Sequence, residues 1–132
     1  MKILVVEDDF ASRLVLQDHL NGLGVIHTAV DGSEALEAVR LALKSGEHYQ
    51  LICLDIMMPK LGGQDTLVEI RNIEQENGIS PAREAKVVMT TALDDLTDVT
   101  KAYSNLCDAY VTKPIRKAKL QETLTKLGLI RD

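Results

Sequence analysis

The sequence predicts an α/β fold: a five-stranded parallel sheet with five helices divided between its two faces. Three observations carry this. Five short apolar segments alternate with segments of helical period over almost the whole chain. The first and third apolar segments are close to continuous, the pattern of strands covered on both faces. Turn and cap residues stand where one period gives way to the other. Strands alternating with helices of this length imply right-handed crossovers and an open sheet.

The first strand is expected at Lys2–Glu7 and is followed by a helix through Leu14–Leu20, closed by Gly22 and Gly24. Val25–Val30 forms the second strand, and Asp31-Gly32-Ser33 supplies a turn and an N-cap for the next helix. That helix carries Ala35, Leu36, Val39, Ala42 and Leu43 on one stripe and ends at Ser45-Gly46. The third strand, Tyr49–Asp55, leads to a helix around Leu67–Ile73. The polar stretch Glu74–Ala85, with Asn77-Gly78 and Pro81, reads as an extended loop before the fourth strand, Lys86–Thr91. A stripe of Leu96, Val99, Tyr103 and Leu106 marks the fourth helix, with Asp94 or Asp95 as its cap. The fifth strand is Ala109–Thr112, and Leu120, Leu124 and Leu127 mark the last helix.

At 132 residues the chain reads as one domain spanning 1–132, with no linker or repeat. Hydrophobic residues make up 45% and charged residues 27%, the balance of a globular protein with an aliphatic core, since there is no Trp. A formal net charge of −5 disfavours nucleic acid and anionic membrane as partners. No apolar run approaches the ~20 residues that span a bilayer, and no signal-peptide pattern follows Met1. Cys53 and Cys107 lie far apart inside apolar runs, as reduced, buried thiols of a cytoplasmic protein.

In open parallel sheets the ligand site lies beyond the carboxyl ends of the strands. The first strand ends in Glu7, Asp8 and Asp9, the third in Asp55, the fourth in Thr90 and Thr91, the fifth in Thr112, Lys113 and Pro114. Consecutive carboxylates after the first strand repel a phosphate, and neither G-x-G-x-x-G nor G-x-x-x-x-G-K-[ST] occurs, so nucleotide binding is not expected. Converging carboxylates need a cation among them, and a hard divalent ion such as Mg²⁺ suits oxygen ligands. With that ion and the Lys113 ammonium the site would accept a phosphoryl group. Asp55, central if the strand order is 2-1-3-4-5, is then the nucleophile, with Thr91 and Lys113 each holding a phosphoryl oxygen.

Glu7-Asp8, Asp55-Ile56-Met57-Met58-Pro59 with Gly62-Gly63, Thr91-Ala92, and Tyr110-Val111-Thr112-Lys113-Pro114 stand in family order. Together they resemble the receiver domain of two-component response regulators, of the single-domain, chemotaxis-regulator-like kind with flavodoxin-like strand order. The resemblance runs from Lys2 to about Leu127. It implies that Asp55 is the phosphoacceptor, Asp8 a direct metal ligand, Glu7 an acid binding the metal through water, and the Met57 carbonyl the third protein ligand. It further implies that Thr91 and Tyr110 form the switch and that Lys113, aimed by a cis Pro114, meets the phosphoryl group. Asp9 falls one place beyond the acidic pair, with the register open by one residue. The implied partners are a sensor histidine kinase or phosphotransfer protein and an unknown downstream protein, the chain acting as a monomer or a phosphorylation-dependent dimer without an output module.

Two departures from the family pattern stand out. Leu106 occupies the place where a Gly is usual between the fourth helix and fifth strand, leaving Asn105 as a candidate left-handed cap. Met57 and Leu93 flank the site with apolar side chains, from which slow self-dephosphorylation is expected. A haloacid-dehalogenase-like phosphatase would need Asp-x-Asp after its first strand, which neither Glu7-Asp8-Asp9 nor Asp55-Ile56-Met57 supplies. A receiver-like adaptor that works without phosphorylation is disfavoured by the intact Asp55, Thr91 and Lys113. His19, His27 and His48 read as ordinary surface or core histidines. Arg116, Lys117 and Lys119 open the last helix at the dipole's unfavourable end, and read as a solvated face or a partner surface.

Overall fold

A computed structural model describes residues 1–58, 61–92 and 106–131. Five strands, β1 (Lys2–Val6), β2 (Val25–Ala29), β3 (Leu51–Asp55), β4 (Lys86–Thr91) and β5 (Ala109–Thr112), form one sheet of order β2-β1-β3-β4-β5. Every neighbouring pair is parallel. The helices among the described residues are α1 (Phe10–Leu20), α2 (Gly32–Lys44), α3 (Gly63–Glu76) and α4 (Lys117–Lys126), with a 3₁₀ turn at Pro81–Arg83. The helix expected on Leu96, Val99 and Tyr103 lies outside the described residues, as do its candidate caps Asp94 and Asp95, and Pro59, Leu93 and Asn105.

Alternation along the strands divides the core in two. Leu4, Val6, Ile52, Leu54, Val87 and Met89 face α2 and α3, meeting Ala35, Leu36, Val39, Leu67, Ile70 and Ile73. Ile3, Val5, Leu51, Cys53, Val88 and Val111 face α1 and α4, meeting Leu16, Leu20, Leu120 and Leu124. All five residues of β3 are buried, because it is the middle strand and is covered on both sides. The edge strand β2 leaves Val25 at 61% exposure and buries only Ala29, so it carries polar His27 and Thr28 where β3 is apolar up to Asp55.

Local chemistry explains the boundaries. Asp31 caps α2 by accepting from the Glu34 N–H at 2.9 Å. Gly22 and Gly46, at φ of 88° and 78°, turn the chain out of α1 and α2 in the left-handed region that glycine tolerates. Asp9 caps α1, its Oδ2 accepting from the Ser12 N–H at 2.9 Å and the Ser12 hydroxyl at 2.7 Å. Those bonds hold the Asp9 carboxyl below its ordinary range. They commit Asp9 to the helix cap, whereas the carboxylates of Glu7 and Asp8 lie near that of Asp55.

The expectation of an extended loop over Glu74–Ala85 is corrected. Helix α3 continues to Glu76, and Glu74 is fully buried within it. Its carboxylate accepts from Arg71 Nη1 at 2.7 Å and the Ala85 N–H at 2.8 Å, and bonds His48 Nε2 at 2.7 Å. Arg71 also donates to the carbonyls of Leu106 at 2.8 Å and Ala85 at 2.9 Å, and to Asp108 at 3.2 Å. A buried carboxylate with three partners sustains a helix end that a polar count reads as loop. The same network takes up the Leu106 carbonyl, at the position where a Gly is usual.

Candidate functional site

The site forms where β1, β3 and β5 release their chains at one edge of the sheet. Glu7 directly follows β1; its N–H donates to the Ala29 carbonyl at 3.1 Å, and its own carbonyl accepts from Arg13 at 2.9 Å. Asp55 is the last residue of β3, in register with Thr90 of β4. The next N–H, of Ile56, donates to the Thr90 carbonyl at 3.1 Å. Gly63 opens α3 against this turn, donating to the Ile56 carbonyl at 2.9 Å. A Cβ on Gly63 would collide with the Asp55 carbonyl and Ile56 Cα, so only glycine fits so close to the Asp55 backbone. Just past β5 the Lys113 N–H donates to the Thr91 carbonyl at 2.7 Å, and the Lys113–Pro114 peptide is cis.

These anchors bring the carboxylates of Glu7, Asp8 and Asp55 together, with one oxygen of each within 4.8 Å of the others. Glu7 is fully buried and Asp55 is 2% exposed, whereas Asp8 faces solvent. Lys113 reaches in from β5, its Nζ 3.2 and 3.3 Å from the two Glu7 oxygens and 3.3 Å from Asp55 Oδ1. The Met57 N–H donates to the same Oδ1 at 3.2 Å.

Electrostatics follow from this crowding. Burial, then the hydrogen bond to Asp55 and its charge, push the Glu7 carboxyl up to about 7, against the opposing pull of Lys113. Burial works against the Lys113 ammonium, but the charges of Asp55 and Glu7 outweigh it and raise its pKa. Three carboxylates converging on one ammonium leave an excess of negative charge. Their hard oxygen donors, one of them open to water, fit a divalent cation that keeps several waters, as Mg²⁺ does. Glu7, Asp8 and Asp55 are the carboxylates in place to hold it.

Of the residues singled out in the sequence, Glu7, Asp8, Asp55 and Lys113 meet directly. The Thr91 hydroxyl instead donates to the Ala92 carbonyl at 3.0 Å. Tyr110 is half-buried on the α2/α3 side, hydrogen-bonded to Cys107, and burial raises its hydroxyl pKa. Met89 pairs with Tyr110 and Thr91 with Thr112, so Thr91 and Tyr110 share a sheet face. Met57 is 62% exposed. Sequence reasoning passed over Arg13, which fixes the Glu7 backbone, because nothing in its spacing distinguishes it from a solvated helix residue. His48 and His27 are ordinary packing histidines, bonded to Glu74 and, at 2.7 Å, to the Tyr49 hydroxyl.

Comparison with known proteins identifies the family. The family model "Response regulator receiver domain" matches residues 3–125. The probable transcriptional regulator ycf27 of Cyanophora paradoxa is 36% identical over 127 residues, 96% of this chain and 47% of its own. The chain thus spans about half the length of that curated relative. Among solved structures, the Saccharomyces cerevisiae Ssk1 receiver domain, co-crystallised with the histidine phosphotransfer protein Ypd1, is similar with a TM-score of 0.79 and 28% identity, covering 100% of this chain and 93% of that one. The receiver domain of the Pseudomonas aeruginosa sensor histidine kinase PA1611, with a magnesium ion coordinated in its active site cleft, has a TM-score of 0.74 and 28% identity over 95% of this chain and 94% of that one. This chain belongs to the response regulator receiver domain family.

Proposed function

We propose that Asp55 accepts a phosphoryl group from the phosphohistidine of a sensor histidine kinase or phosphotransfer protein, in a Mg²⁺-dependent step in the cytoplasm. The observation that carries this reading is the convergence of Glu7, Asp8 and Asp55 within 4.8 Å, with Lys113 against two of them. When bound, Mg²⁺ would supply charge neutralisation for the incoming phosphoryl oxygens.

The residues of the chain do the rest. An oxygen of Asp55 attacks phosphorus; the bond to the histidine nitrogen breaks, and its electron pair returns to the imidazole. The Met57 N–H and Lys113 orient the carboxylate through Oδ1. Lys113 then leaves Glu7 for a phosphoryl oxygen, and the Thr91 hydroxyl leaves the Ala92 carbonyl for another. Because Thr91 and Tyr110 share a sheet face, that turn biases Tyr110 inward and shifts a protein-binding face between two populations. Phe10, Leu14 and Val15, at 66%, 49% and 44% exposure on α1, offer an apolar platform to the donor protein. Met57 beside the site brings no polar group to water, which supports slow self-dephosphorylation.

Incubation with acetyl phosphate and Mg²⁺ followed by intact mass tests the reading. A single phosphoryl adduct, absent with EDTA and in Asp55→Asn, is the expected result. No adduct on the wild-type chain overturns it.

A further inference from the structure

We infer that His19 is a positioning residue for Lys113, acting from α1 on the loop that carries the lysine. The inference rests on the phosphoacceptor reading for its functional consequence and on the structure for its geometry. Residues 113–116 join β5 to α4 without regular structure. The loop is fastened at its start by the Lys113 N–H on the Thr91 carbonyl at 2.7 Å. Two residues further on, the Ile115 carbonyl lies 2.9 Å from His19 Nε2, a contact across 96 positions of sequence. A carbonyl only accepts, so Nε2 carries the proton. Nδ1 of the same ring is shut off from water and has no partner among the described residues. One ring nitrogen is thus committed to the loop while the other is left bare, which a histidine kept for solubility or simple packing does not explain.

The consequence for Lys113 follows from reach. Its side chain starts just past the edge strand β5 and meets the carboxylates that end β3 and follow β1, at 3.2–3.3 Å, the long end of the hydrogen-bond range. Among the described residues, the space between α1 and the base of the lysine is not filled. A cleft of about 200 Å³ opens there, lined by Ala11, Ser12, Val15, Leu16 and residues 113–115. With the His19 bond gone the loop has room to shift, and an outward shift at the base of a fully committed lysine carries the ammonium off both carboxylates. Misplacement of about 1 Å costs up to about a hundredfold in rate when a charge must meet a reacting group.

Two variants separate this role from packing. His19→Gln keeps an amide N–H able to reach the Ile115 carbonyl; His19→Leu keeps bulk and loses the donor. His19→Asn, too short to reach, replaces the Leu variant if that one does not fold. Two readouts are taken on the full chain: the rate of Asp55 phosphorylation against acetyl phosphate concentration with Mg²⁺, and the ¹H–¹⁵N signal of the Lys113 ammonium without metal. We expect His19→Leu to lose about tenfold in rate and to broaden or shift the Lys113 signal, with His19→Gln within about twofold of wild type in both. A Leu variant with wild-type rate and signal overturns the inference, as does a Gln variant impaired as much as the Leu variant. If the wild-type chain takes no phosphoryl group, the phosphoacceptor reading fails, while the Lys113 signal still decides the role of His19.

Discussion

Replacing Glu7 by Gln gives a stability change whose size depends on pH. In the metal-free protein the buried Glu7 carboxyl is pushed up to about 7 from an ordinary 4.5. Its folded value is raised, so the folded state holds the proton longer than the unfolded chain does. Stability is therefore intact below about pH 4.5, declines as pH rises between the two values, and carries the full penalty above pH 7. A rise of that size corresponds to about 3 kcal/mol, since each unit is worth about 1.4 kcal/mol. Gln at position 7 imitates the protonated acid: its amide can donate to Asp55 and accept from Lys113. In EDTA, Glu7→Gln should lie within about 1 kcal/mol of wild type near pH 5 and exceed it by about 3 kcal/mol at pH 8.5. Urea unfolding followed by far-ultraviolet circular dichroism reads this as a midpoint shift of about 1 M or more at the higher pH. Groups common to both proteins cancel in the difference. A difference that stays flat from pH 5 to 8.5 refutes the claim that burial and the neighbouring Asp55 set the state of Glu7.

Further expectations concern the supports of the site. Glu74→Gln removes a fully buried charge from Arg71 and His48 and should cost about 3 kcal/mol in urea unfolding. Burial opposes the Glu74 charge, but bonds from His48, the Ala85 N–H and Arg71 win and hold its pKa below the ordinary value. Its contribution is thus present above about pH 4.5 and lost as pH falls through the folded value, so the cost of Glu74→Gln should shrink in acid. Gly63→Ala forces a methyl group against the Asp55 carbonyl and should lower stability by about 2 kcal/mol or more while slowing phosphorylation, read by unfolding and intact mass. Met57→Asn combined with Leu93→Glu should shorten the phosphoryl half-life by supplying polar groups for the attacking water; an unchanged half-life sinks that reading.

Sequence alone reached the sheet because the fold writes it in periods. The fully covered β3 appears as an unbroken apolar run, and the α2 stripe and its Asp31 cap locate that helix at once. The site was legible because a parallel sheet delivers the ends of its strands to one edge, so Glu7, Asp8, Asp55 and Lys113 could be gathered without coordinates. What escaped is chemistry made by long-range pairing. Glu74 has the composition of a loop residue, and only Arg71 on its own helix, together with His48 and the Ala85 N–H brought from two other segments, makes it a buried helical one. His19 likewise has no local signature, since its partner is 96 positions away. The place of Asp9 needed the Ser12 contacts, because three adjacent acids look alike until one is committed to a helix cap.

The central claim is that Asp55 itself carries the phosphoryl group. Borohydride reduction of the acetyl phosphate-treated chain, followed by peptide mapping, tests it most directly, since an acyl phosphate is reduced to the alcohol at the residue that bore it. The account predicts homoserine at position 55, formed only when Mg²⁺ is present and strongly diminished in Asp8→Asn. Reduction at Glu7 or Asp8 instead, or an unmodified Asp55 beside a measurable phosphoryl adduct, would contradict it.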